Sequence, residues 1–127
     1  QLQKTLKNTL IIDAYNANPT SMEMAILNLK ALDVKEKKVV ILGDMKELGN
    51  VSLEEHQKIV SLLEEINLDK IYLFGDEFSK VKIPSDFFTS NDFDECLKQI
   101  EKDKIEHSYV LIKGSRSMKM ERVVEVL

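Results

Sequence analysis

Four short apolar runs in this sequence each end on residues able to do chemistry. Asp13 closes Leu10-Ile11-Ile12, Asp44 follows Leu42-Gly43, and Asp76 follows Phe74-Gly75. Lys113-Gly114-Ser115-Arg116-Ser117 follows Tyr109-Val110-Leu111-Ile112. Taken singly, a Gly-Asp step after a strand is ordinary turn chemistry, and a carboxylate near a helix start gains from the helix dipole without any ligand. Several at one sheet edge form a ligand site, because in a parallel α/β sheet the loops after the strands open side by side.

The basic loop is the more specific of these features. Gly114 permits close backbone approach, the amides opening the next helix present donors to an anion, and Arg116 adds a planar fork suited to a carboxylate or phosphate. The alternative is a solvent-exposed Arg beside an N-cap serine. The stretch Asp13-Ala14-Tyr15-Asn16-Ala17-Asn18-Pro19 places a carboxylate, a phenol and two amides between a buried strand and a Pro-led helix. These are turn and cap residues or the border of a ligand. His56 falls on the apolar side of its helix with no nucleophile or metal partner in view, so it reads as a packed, hydrogen-bonded histidine. Cys96 reads as inert core packing, and the run Lys35 to Lys38 as a solvated loop.

Elements must hold these groups in place. A continuous apolar run without in-out alternation suits a strand covered on both faces, hence a parallel sheet. Phe87-Phe88-Thr89 is a weaker fifth strand. Between the runs, Met22, Ala25, Ile26 and Leu29 share a helical face, as do Leu53, Val60, Leu63 and Ile66. Phe93, Cys96, Leu97 and Ile100 repeat the pattern, and so do Met120, Val123, Val124 and Leu127. The start signals are Asn18 with Pro19, Ser52 with Glu55, Asn91, and Ser117. The expected fold is therefore α/β, a Rossmann-like open and mostly parallel sheet with helices on both faces. Residues 1–9 read as a connector, and 10–127 as the domain proper.

Composition narrows the classes. The chain has 127 residues, 43% hydrophobic and 31% charged, with a formal charge of −4; that suits one domain with a real core and argues against a nucleic-acid surface. One cysteine excludes an internal disulfide, no Cys/His group has metal-ligand spacing, and no run is long enough to span a bilayer. A cytoplasmic protein with no membrane partner is expected. The chain opens on Gln1, as a piece of something longer would. There is no phosphate loop of the G-x-x-x-x-G-K-[ST] type, no G-x-G-x-x-G after the first strand and no G-x-S-x-G elbow. Residue chemistry alone stops at a ligand-binding α/β domain.

Three blocks carry a resemblance further. Asp13 to Met22, then Leu42-Gly43-Asp44-Met45 with Glu47-Leu48-Gly49 and His56, then Lys113 to Met118 with Met120-Glu121, resemble the Mur ligases in family order. They are most similar to the type that joins D-alanyl-D-alanine to UDP-N-acetylmuramoyl-tripeptide. The resemblance covers nearly the whole chain but only the third, Rossmann-like domain of that family, which closes over a central ATPase. It implies ATP and Mg²⁺ in the complete enzyme, none tightly held by this segment, and no catalytic or metal-binding residue here. By the same resemblance Asp13 contacts the ATP ribose, while Tyr15, Asn16 and Asn18 border the nucleotide. Lys113, Ser115, Arg116 and Ser117 lie near the dipeptide, with Asp44 close by. Ala14 stands where many members have Ser, and the arginine that precedes this segment in the family lies outside the chain. Two rivals stay open: a receiver-like phosphoacceptor signalling domain, with acids and a Lys at strand ends, and a stand-alone nucleotide-binding protein.

Overall fold

A computed structural model describes all residues, 1–127. Five strands run parallel: β2 (Asn8–Asp13), β3 (Lys37–Gly43), β4 (Lys70–Phe74), β5 (Phe88–Ser90) and β6 (Ser108–Lys113). A sixth, β1 (Leu2–Lys4), pairs antiparallel with β2, so the sheet order is β1-β2-β6-β3-β4-β5. The stretch read as a connector thus contributes an edge strand. It escaped the apolar-run criterion because all three of its residues are exposed.

The helices are α1 (Pro19–Ala31), α2 (Ser52–Ile66) and α3 (Phe93–Asp103). From β2 to β4 the chain moves one way along the sheet, and α1 and α2 pack Met22, Ile26, Leu29, Ile59, Val60 and Leu63 on one face. After β5 it turns back to insert β6 between β2 and β3, so a crossover of the same hand puts α3 on the other face. Central strand side chains serve both layers: Val40, Leu42 and Leu111 face α1 and α2, whereas Val39, Ile41, Val110 and Ile112 face α3. Each fully buried aliphatic side chain contributes roughly 1.5–3 kcal/mol.

Several local expectations change. The segment Met120–Val126 is a 3-10 helix rather than an α-helix, although Met120, Val123 and Leu127 are buried as expected. On α2 the inward face is His56, Ile59, Val60 and Leu63, while Leu53 is exposed. Asn18 does cap α1, in a reciprocal box with Ser21 and with Pro19 at the first position. Asp92, not Asn91, caps α3. Ser52 is already helical, led in by a 3-10 turn at Gly49–Val51, and Ser117 sits inside another at Arg116–Met118. The lysine run is only partly solvated: Lys37 and Lys38 open β3, paired with Ser108 and Tyr109, and the Lys38 ammonium closes α1, donating to the carbonyls of Lys30 and Leu32, each at 2.6 Å.

The opposite edge of the sheet is closed by one buried amide. Asn8 donates from Nδ2 to the carbonyls of Ile105 (2.9 Å) and Leu127 (3.0 Å), and its Oδ1 accepts the Ser108 N–H (3.1 Å). This locks the start of β2, the start of β6 and residue 127 together.

Candidate functional site

The carboxyl ends of β2 and β6 form the crevice where adjacent strands send their chains to opposite faces, β2 to α1 and β6 to the 3-10 turns against α3. Ligands of open α/β sheets settle at such a switch point. Asp13 and Lys113 are register partners there. Lys113 Nζ donates to Asp13 Oδ2 at 2.5 Å and to the Asn16 carbonyl at 2.9 Å. The lysine side chain is 1% exposed and the aspartate 46%, so a buried ammonium holds a carboxylate that still meets solvent.

Beside this pair the loop after β2 projects outward. Ala14 and Ala17 are buried and pin it down, while Tyr15, at 79% exposure, and Asn16 face solvent. The Arg116 guanidinium lies 5.7 Å from the Tyr15 ring centre, and its only ionic partner, Glu121, is 3.8 Å away. With 70% of its side chain exposed, Arg116 is a weakly tethered cation on the rim. Ser117 is exposed next to it.

Other expected site residues are already engaged. Asn18 Oδ1 accepts the Ser21 N–H at 2.9 Å, which leaves only its amide NH₂ for any nucleotide. Ser115 is nearly buried and its Oγ accepts the Lys46 N–H at 2.7 Å. Asp44 is wholly buried: Oδ2 accepts the Glu77 N–H and Oδ1 the Phe78 N–H, at 2.9 and 3.0 Å. Asp44 therefore joins the loops after β3 and β4 and presents no carboxylate to a dipeptide. The buried ammonium of Lys113 likewise turns toward the β2 loop. Gly114 serves packing: a Cβ there would lie 2.8 Å from Met120 Cγ and 3.0 Å from Gly43 Cα. No long helix follows it, so the expected row of helix N-terminal amides is reduced to one 3-10 turn.

Around Asp44 runs a network that the spacing did not reveal. His56 is fully buried; Nε2 accepts the Met45 N–H at 3.0 Å, which makes Nδ1 the protonated nitrogen, 2.8 Å from the Ser52 carbonyl. Ser52 Oγ donates to Glu77 Oε1 at 2.5 Å. That bond, and then the Lys80 ammonium, hold the Glu77 carboxyl below its usual range. Lys46 was also missed. It lies two residues past Asp44, with Nζ 3.6 Å from that carboxylate, and its amide reaches the loop after β6.

The site is an open rim. The larger grooves lie elsewhere, one of about 680 Å³ between α1 and α2 and one of about 600 Å³ between the turn after β1 and residues 124–127. No group of three or more His, Cys, Asp or Glu side chains is placed to hold a metal ion, and no helix is long and apolar enough to cross a membrane.

The family described as "Mur ligase, glutamate ligase domain" matches residues 1–116. Among curated relatives, the UDP-N-acetylmuramoyl-tripeptide–D-alanyl-D-alanine ligase of Buchnera aphidicola (Acyrthosiphon pisum) is 40% identical over 93% of this chain and 26% of its own length. The ligase of the same name from Haemophilus influenzae is 36% identical over 97% of this chain and 28% of its own. That from Borreliella burgdorferi is 31% identical over 94% and 27%. Among solved structures, the MurF ligase of Thermotoga maritima in complex with ADP aligns with a TM-score of 0.81 and 30% identity, over 98% of this chain and 29% of that one. The chain thus spans little more than a quarter of its relatives' length. It belongs to the Mur ligase family and corresponds to the C-terminal domain of the type that carries D-alanyl-D-alanine ligase in its name.

Proposed function

We propose that this chain is the C-terminal lobe of an ATP-dependent ligase of the bacterial cytoplasm that joins D-alanyl-D-alanine to UDP-N-acetylmuramoyl-tripeptide in peptidoglycan synthesis. In that reaction the tripeptide carboxylate takes the terminal phosphoryl group of ATP, releasing ADP. The dipeptide amine then attacks the acyl phosphate, forming the peptide bond and releasing phosphate. The lobe contributes orientation rather than bond-making groups. Its Asp13 carboxylate accepts from the nucleotide ribose, Tyr15 and Asn16 border the nucleotide, and Arg116 with Ser117 faces the dipeptide. Asn18 adds its amide at the edge. Mg²⁺ would sit with the ATP phosphates, held by the other domains of the enzyme.

The observation that carries this reading is the half-exposed Asp13 carboxylate, held at the switch point beside the exposed Tyr15 and Arg116 on an unenclosed rim. Such a rim suits a site completed by a second domain. The receiver alternative falls with the family match over 116 residues. Asp13 also stands alone there, tied to a lysine, without the paired acids a receiver requires. The full-length protein, given ATP, UDP-N-acetylmuramoyl-tripeptide and D-alanyl-D-alanine, should release phosphate only when all three are present. The segment by itself should release none. Turnover with some other amino component in place of the dipeptide would reject the substrate assignment.

A further inference from the structure

We propose that Lys113 is a positioning residue for the nucleotide side of the site, acting through Asp13 and Asn16, and not a ligand of the dipeptide. This rests on the functional reading above and specifies one residue's part in it. Lys113 ends β6, on the strand that leads into the Arg116 loop, so its sequence position suggests a role beside Arg116. Its ammonium points the other way. Both hydrogen bonds from Nζ end on the loop after β2, one on the Asp13 carboxylate and one on the Asn16 backbone carbonyl. With 1% of its side chain exposed, it has no surface to offer a carboxylate arriving from solvent.

The arrangement has a specific effect on Asp13. A half-exposed aspartate ordinarily samples several rotamers. Here Oδ2 is fixed by the buried ammonium from the neighbouring strand, and Oδ1 accepts no hydrogen bond from the protein. One oxygen is thus kept facing outward, ready to accept from a vicinal diol such as a ribose. Ordering that acceptor before the ligand arrives removes a cost from binding. The bond to Asn16 does the same for the loop, fixing the backbone between the buried Ala14 and Ala17 so that the Tyr15 and Asn16 side chains project outward. A buried ammonium is tolerated because a carboxylate and a carbonyl both accept from it.

The test uses the full-length enzyme as wild type, Lys113→Met, Lys113→Arg, Asp13→Asn and the Asp13→Asn/Lys113→Met double variant. KM for ATP, KM for D-alanyl-D-alanine and kcat are measured, with ADP affinity by calorimetry. Lys113→Met should raise the ATP KM and weaken ADP at least about tenfold, the order of a lost hydrogen bond to a charged group. The dipeptide KM should stay within about twofold, and the double variant should be about as impaired as the worse single one, as expected for residues acting as a unit. Lys113→Arg keeps a donor to Asp13 and should fall between wild type and Met. If Lys113→Met does not fold, the Arg variant alone still separates the two KM values. A rise in dipeptide KM with ATP KM unchanged, additive losses in the double variant, or a fall in kcat with both KM values unchanged would each overturn the proposal. Wild type that binds ADP without using the dipeptide would sink the functional reading instead, leaving ADP affinity of the variants to decide the role of Lys113. Wild type that binds no ADP would end both.

Discussion

Asp44 and Phe78 are joined across 34 residues: the aspartate Oδ1 accepts the Phe78 N–H at 3.0 Å, while Oδ2 takes the neighbouring Glu77 N–H. Gly75 makes room for this contact, because a Cβ there would overlap the Asp44 carboxylate and its φ of +132° disfavours other residues. Asp44→Ala leaves two amides without an acceptor and should cost about 2–4 kcal/mol of unfolding free energy, measured by urea titration. Gly75→Ala should be destabilising for both steric and backbone reasons. If Asp44→Asn changed stability by less than about 0.5 kcal/mol yet raised the dipeptide KM, the carboxylate would be a ligand after all.

Cys96 sits on the inward face of α3, and burial pushes its thiol up to about 12. Thiolate is the reactive form, and at pH 8 a group titrating near 12 supplies almost none. An aromatic disulfide reagent should therefore release no chromophore from the native protein over minutes and one equivalent in denaturant. Stoichiometric release without denaturant would mean that α3 opens readily.

Glu77 gives the domain a predictable acid limb. Its carboxyl is held low first by the Ser52 hydroxyl bond and then by Lys80. A depressed folded value means that the carboxylate stabilises above the unfolded value, about 4.3, and that this contribution is lost as pH falls through the folded one. Comparing wild type with Glu77→Gln in urea, the gap in stability should be widest near pH 7 and should shrink below about pH 4. Ser52→Ala should narrow the gap at neutral pH. A gap independent of pH would show that the carboxylate charge contributes nothing there.

The sequence discloses the frame of this molecule because buried parallel strands need unbroken apolar runs, and β2, β3, β4 and β6 have them. It conceals β1, whose exposed Leu2, Gln3 and Lys4 pair on one side only and so need no pattern. The last segment has helical spacing, yet Lys119 adopts a left-handed φ of +50° just before it and the chain winds as a 3-10 helix. Asn91 and Asp92 are equally good caps by type, and a one-residue boundary decides between them.

The site shows the same division. Strand ends and residue type point to Asp13, Tyr15 and Arg116, which the fold brings together on the exposed rim. Whether a polar side chain at that edge faces a ligand or another loop depends on partners 30 to 100 residues away, as Asp44 with Phe78 and Lys113 with Asp13 demonstrate. Spacing along the chain carries no such information. His56 is the exception: with no nucleophile or metal ligand in reach of its motif, a packed role followed, and its two ring nitrogens are in fact both engaged with backbone groups.

If the proposed function holds, Arg116 is the residue that would receive the dipeptide's carboxylate, and its exposure makes the prediction clean. Its contacts are a loose ion pair with Glu121 and a distant approach over the Tyr15 ring, so replacing it should leave stability within about 0.5 kcal/mol of wild type. A guanidinium offers two parallel donors to a carboxylate, and lysine keeps the charge while losing that fork. In the full-length enzyme Arg116→Lys should weaken use of D-alanyl-D-alanine by roughly tenfold, with the ATP KM little changed. Any rate loss would come from misaiming the amine at the acyl phosphate, since Arg116 has no proton or bond to give. The informative control is a dipeptide with its carboxylate amidated. If Arg116 holds that group, wild type should lose strongly on amidation and the lysine variant only slightly. Equal losses in the two proteins would leave Arg116 as a rim cation held by Glu121 and Tyr15, with no contact to the substrate.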